Sequence, residues 1–154
     1  MDGSFGVDLN RNSPFGWSAL CSGSTIPSSS TYKGPFAASE AETLTMLAFS
    51  EDQHFAKVLD YHSSGREVLW GYSCSAHPLA GFLQAEATAL SFASGYGGSE
   101  RSPSAEGEHY EWQLAEQGSF SFLTETALEF QPSYVSAVAE AATVWPGTLW
   151  MLER

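Results

Sequence analysis

Apolar positions along this chain change their spacing several times, and each change predicts an element. Leu44, Leu47 and Ala48 recur at helical spacing behind Ser39-Glu40-Ala41-Glu42. A serine followed three residues later by a carboxylate predicts a capping box, with a helix from about Ser39 to Ser50. Val58 to His62 and Glu67 to Gly71 are short β-prone runs separated by Ser63-Ser64-Gly65, which predicts two strands joined by a tight connection. Leu79, Phe82, Leu83, Leu90 and Phe92 return to roughly helical intervals between Pro78 and Ser94, with Gly95 as a stop. Ser119 to Glu125 alternates, placing Phe120, Phe122 and Thr124 on one face and Ser121, Leu123 and Glu125 on the other, as a strand does. Ser133 to Arg154 is apolar and helix-prone, with Pro146 expected to kink or interrupt it.

Two stretches lack periodicity. Residues 13–35, rich in Ser, Pro and Gly, predict a long ordered loop, and residues 95–109 predict a mobile surface loop that could serve as a lid. The order of helix, paired strands, helix, strand and helix predicts an α/β fold, a mixed β-sheet flanked by helices, with sites at the strand ends. No internal repeat is visible.

Composition narrows the function. At 154 residues, 43% hydrophobic and 14% aromatic, the chain has the size and apolar content of a single domain over 1–154. A formal net charge of −12 repels phosphate backbones and anionic head groups, so neither nucleic acid nor a membrane surface is an expected partner. No run of about eighteen apolar residues occurs, and the N-terminus lacks a basic-then-apolar order. Cys21 and Cys74 fit either a disulfide or two free thiols.

Three residues carry candidate chemistry. Arg11, within Asp8-Leu9-Asn10-Arg11-Asn12, offers a planar fork for a carboxylate beside the neutral Asn10, though an arginine in an ordinary ion pair reads the same way. His62, followed by Ser63 at a strand end, could ligate a metal or be structural. Glu125 could be a general base or a solvent-facing carboxylate. A serine hydrolase is disfavoured, because no Gly-x-Ser-x-Gly occurs.

Taken in order, Asp8 to Asn12, Tyr32 to Thr43 (Tyr-Lys-Gly-Pro-Phe-Ala-Ala-Ser-Glu-Ala-Glu-Thr), Tyr61-His62-Ser63 leading to Trp70-Gly71-Tyr72, and Phe120 to Glu125 resemble the zinc carboxypeptidase (M14) family over nearly the whole chain. The resemblance implies a partial zinc-carboxypeptidase (phosphorylase/hydrolase-like) fold and a metallocarboxypeptidase that removes C-terminal residues with a metal-activated water. It implies that Asn10 and Arg11 hold the terminal carboxylate, that His62 is a zinc ligand, that Glu125 is the catalytic base and that Ser63 neighbours the substrate. A substrate-capping tyrosine should precede Glu111-Trp112, with Tyr96 and Tyr110 as candidates. Implied partners are peptide or protein C-termini, and the implied setting is secreted or periplasmic.

The match departs in one respect. The family's His-x-x-Glu motif lies upstream of the Asp8 to Asn12 segment, and none of His54, His62, His77 or His109 has Glu three positions on. The expectation is therefore a C-terminal half of the catalytic domain. Zinc belongs to the complete domain, and the alternative role is a non-catalytic module that binds peptide C-termini. Such a half would expose a sheet edge and an apolar face, favouring a missing N-terminal half or self-association as partner.

Overall fold

The computed structural model describes residues 6–154. Strands β1 (Lys57–Ser63), β2 (Glu67–Leu69), β3 (Glu100–Arg101) and β4 (Phe120–Thr126) form one mixed sheet in the order β1-β4-β2-β3. The helices are α1 (Ala41–Gln53), α2 (Ala80–Ala93), α3 (His109–Glu116) and α4 (Tyr134–Glu153). The α/β fold class read from the sequence stands.

Although β1 and β2 follow one another closely in sequence, they are not neighbours in the sheet. β4 lies between them, parallel to β1 and antiparallel to β2. Burial explains why β4 takes the central place. Its side chains at 121–124 are buried on both faces. Phe122 packs with Val68 of β2, Leu83, Ala87 and Leu90 of α2 and Met151 of α4. On the opposite face Leu123 packs with Leu69 and with Tyr110 of α3. An edge position would return one of these apolar sets to water.

The predicted capping box is not formed. The helix begins one residue later, with Glu40 as the capping residue, and the Ser39 hydroxyl donates to the Glu40 carboxylate. The Glu40 amide instead donates to the Asn12 side-chain oxygen at 3.2 Å. Asn12 is fully buried, and its Nδ2 donates to the carbonyls of Lys33 and Phe36 and to the Ser39 hydroxyl. One asparagine thus closes the long loop onto the start of α1. The loop is ordered as expected: Trp17 Nε1 donates to the Lys33 carbonyl, while the Lys33 ammonium lies over the Trp17 ring.

Cys21 and Cys74 form a disulfide between this loop and the segment after β2, with a Cα separation of 5.9 Å. At the other end of the chain, α4 continues through Pro146 for 20 residues, so the proline does not interrupt it.

Residues 95–109 depart most from expectation. Instead of a mobile lid they supply the edge strand β3 and then a built-in segment in which Glu106, Gly107 and Glu108 are buried. The Ser13 amide donates to the Gly107 carbonyl, and the Cys74 amide donates to the Glu106 carboxylate. Gly107 has φ +103, and an added Cβ would lie 2.8 Å from the Arg11 carbonyl oxygen, so the close approach requires glycine. Backbone hydrogen bonds and burial fix the segment, which composition alone could not reveal.

Replacing Asn12 with Ala removes its hydrogen bonds to the Lys33 and Phe36 carbonyls, the Ser39 hydroxyl and the Glu40 amide. The expected cost is about 2–4 kcal/mol of unfolding free energy. Chemical denaturation of the variant measures it, and a change below about 0.5 kcal/mol would contradict the role assigned to Asn12.

Candidate functional site

Alternation along β1 directs Tyr61 toward α4, where its hydroxyl bonds Thr148, and Asp60 and His62 toward the α3 face. In the parallel register His62 is the partner of Glu125 on β4, so both lie on one face near the C-terminal ends of their strands. The 3-10 turn Leu9–Arg11 reaches this place from the long loop, held by the Asp8 carboxylate, which accepts from the Asn10 amide. Asn10, Arg11, His62, Ser63 and Glu125 all line one cleft of about 650 Å³. Five of the residues singled out from sequence are therefore brought together.

Tyr96 and Tyr110 are not. Tyr96 is buried, with its hydroxyl donating to Glu140. Tyr110 is fully buried in the α3 face of the sheet, with its hydroxyl 3.3 Å from the Gly71 carbonyl oxygen. Neither phenol lines the cleft, because each fills a place in the packed interior. They correct the expectation of a capping tyrosine at either position.

His62 carries a half-buried imidazole whose Nδ1 lies 3.5 Å from Asn10 Nδ2. Burial lowers its pKa below the ordinary value, aided by Arg11 and His109 and opposed by Asp60 and Asp8, which favours the neutral ring that can donate to a metal. Glu125 has one buried carboxylate oxygen without a partner. Burial raises its pKa, Arg101 and Arg11 oppose the rise, and Glu67 adds to it. A carboxylate of increased basicity at a cleft can accept a proton from water. Ser63 donates its hydroxyl to the Phe130 carbonyl and so sits at the cleft wall already bonded.

Zinc needs typically about three protein donors. Among the described residues, the convergence of potential donors is Cys21, Cys74 and Glu106, where both sulfurs belong to the disulfide. His62 offers one donor and belongs to no convergent group of three or more donors among the described residues. The residues present do not fit a complete zinc site.

Arg11 is engaged where a free clamp was expected. Its Nη1 donates to the Asn10 carbonyl at 2.6 Å and to Glu108 at 2.7 Å. The side chains of this ion pair are only 15% and 4% exposed. Burial raises the Glu108 pKa to about 7, outweighing the attraction of Arg11. Next to it, Glu111 reaches back to accept from the amides of Gly107 and Glu108, both at 3.1 Å. Burial and the neighbouring Glu108 push Glu111 up to about 9. Asp60 and His109 form a further pair at 3.0 Å beside the cleft. Sequence reasoning passed over Glu108, Asp60 and His109; the one signal was the density of carboxylates in Glu106-Gly107-Glu108-His109-Tyr110-Glu111.

The family model for zinc carboxypeptidases (Peptidase_M14) matches residues 2–138. The chain belongs to the zinc carboxypeptidase family. A metallocarboxypeptidase A-like protein of Trichophyton verrucosum (strain HKI 0517) is 36% identical over 80 residues, covering 48% of this chain and 19% of that protein. The carboxypeptidase A of Helicoverpa armigera superposes with a TM-score of 0.81 at 20% identity, covering 97% of this chain and 42% of that one. The thrombin activatable fibrinolysis inhibitor superposes with a TM-score of 0.78 at 23% identity, covering 97% and 43%. These two folds match the α/β architecture, and the chain spans less than half the length of each of the three relatives.

Because Glu108 and Glu111 bind protons more tightly folded than unfolded, their contribution to stability is full below about pH 4.5. It is lost as pH rises through about 7 and then about 9. The melting temperature should therefore fall between about pH 5 and pH 9, and Glu111→Gln should flatten the upper part of that fall. A melting temperature that rises over this range would contradict the burial of these carboxylates.

Proposed function

We propose that this chain is the carboxylate-binding and proton-transfer part of a metallocarboxypeptidase that removes C-terminal residues from peptides. The observation that carries the reading is the convergence of Asn10, Arg11, His62 and Glu125 on one cleft. Arg11 binds the peptide's terminal carboxylate, and Asn10 hydrogen-bonds beside it. That anchor places the last peptide bond, and no other, within reach. Glu125, which lines the cleft, accepts a proton from water and returns it to the leaving amine. The family's zinc, which supplies Lewis acidity when bound, would take one donor from His62 and its remaining donors from polypeptide outside the described residues.

The surface supports a partner of that kind. β1 is an edge strand. Leu44, Met46 and Phe49 of α1 and Val138, Trp145, Leu149 and Leu152 of α4 expose apolar side chains. An unpaired edge and exposed apolar helix faces suit the rest of a larger sheet, or a second copy of the chain. The disulfide fits an oxidising setting, secreted or periplasmic. On this reading the chain alone binds peptide ends without cutting them.

A second reading is favoured by the incomplete donor set around His62 among the described residues: a module that holds peptide or protein C-termini and never cleaves them. Both readings need the same clamp. A short peptide with a free C-terminus should bind this chain, while its C-terminal amide and the Arg11→Ala variant should each weaken binding by about tenfold or more. Equal binding of acid and amide in calorimetry would reject Arg11 as the clamp.

A further inference from the structure

Arg11 presents an unusual face for a carboxylate clamp. A guanidinium grips a carboxylate bidentately either through its two terminal nitrogens or through Nε and one of them. Here Nη1 is committed to the Asn10 carbonyl and the Glu108 carboxylate, and Nε is buried without a partner. That leaves Nη2 alone for an incoming group. Glu108 is itself incompletely satisfied: its second oxygen is buried and unpartnered, so Arg11 is its main compensation.

We propose that Glu108 is a resident carboxylate that competes with the peptide's terminal carboxylate for Arg11, so that productive binding requires Glu108 to give up its charge or its hold. The inference rests on Arg11 being the clamp. Two carboxylates sharing one buried guanidinium repel each other, and the inner one has no water to move into. Glu108 is already near its balance point between charged and neutral at about pH 7. A second negative charge on Arg11 shifts that balance toward the protonated acid, so peptide binding is accompanied by uptake of a proton from solution on Glu108. The charged groups facing Glu108 are Arg11 from the 3-10 turn, Arg101 from β3, Glu125 from β4 and Glu111 from α3. Gly107 keeps the arrangement close, because its backbone lies against Arg11 and leaves no room for a side chain.

Above neutral pH the charged Glu108 holds Arg11 and peptide binds weakly; below it the neutral acid releases the guanidinium and binding tightens. The peptide's own carboxylate, with an ordinary pKa of roughly 3.5, stays charged throughout.

The test compares a free-acid peptide and its amide by calorimetry on the wild-type chain, Glu108→Gln and Arg11→Ala, near pH 7 and in two buffers of different ionisation enthalpy. Glu108→Gln keeps an oxygen for Nη1 but removes the competing charge, so it should bind the acid peptide about tenfold tighter. Its affinity should also vary less between about pH 6.5 and pH 8. The wild type should take up a measurable fraction of a proton on binding, and that measurement stands by itself if the Gln variant does not fold. A structural role alone predicts no tightening and no proton uptake. Binding that depends on Arg11 but shows neither effect would overturn this inference and leave the clamp intact. Binding that ignores both Arg11 and the peptide's terminal charge would overturn the clamp and this inference together.

Discussion

The parallel pairing of β1 with β4 is the constraint on which the site depends. Inserting β4 between β1 and β2 puts Glu125 opposite His62 on the α3 face, and it does so because β4 is buried on both sides. Phe122 needs the α2 and α4 layer, while Leu123 needs Tyr110 of α3. Residues far apart in sequence are brought to one cleft by the burial of a strand's two faces, rather than by any attraction between them. The third component, the turn carrying Asn10 and Arg11, is joined by Asn12, whose side chain ties residues 33–40 together.

Around that frame the electrostatics are unusually concentrated. The chain carries a net charge of −12, yet several of its acids are buried in one place: Glu106, Glu108 and Glu111. Arg11 neutralises part of this group, and the backbone amides at Gly107 and Glu108 serve Glu111. For Glu108 and Glu111 the rest is met by raised pKa values, which is how buried carboxylates avoid the cost of an unpaired charge. The region read from composition as a mobile lid is thus a fixed segment of the interior, and its Glu108 carboxylate holds Arg11 directly.

What could be read from the sequence follows physical lines. Periodicity located α2 and β4, an apolar helix-prone run located α4, and the short β-prone runs located β1 and β2. Arg11, His62 and Glu125 were legible through their order along the chain and its family resemblance, not through any property of each residue alone. Ser39 illustrates the opposite case: its spacing to Glu42 signals a capping box, but Asn12, from a loop 28 residues away, takes the capping contact instead. Glu108 shows the same limit, since its partner is separated by 97 residues and nothing local marks it. Position in the chain alone points to Tyr96 and Tyr110, and burial places both in the interior.

The central claim is that this chain holds the clamp and the base while supplying a single zinc donor. Zinc titration of the purified chain, read by calorimetry and by the His62→Ala variant, tests it most directly. The account predicts weak binding, with no stoichiometric tight site dependent on His62, because one imidazole cannot replace the usual set of about three donors. One tightly held zinc per chain, lost in His62→Ala, would contradict it.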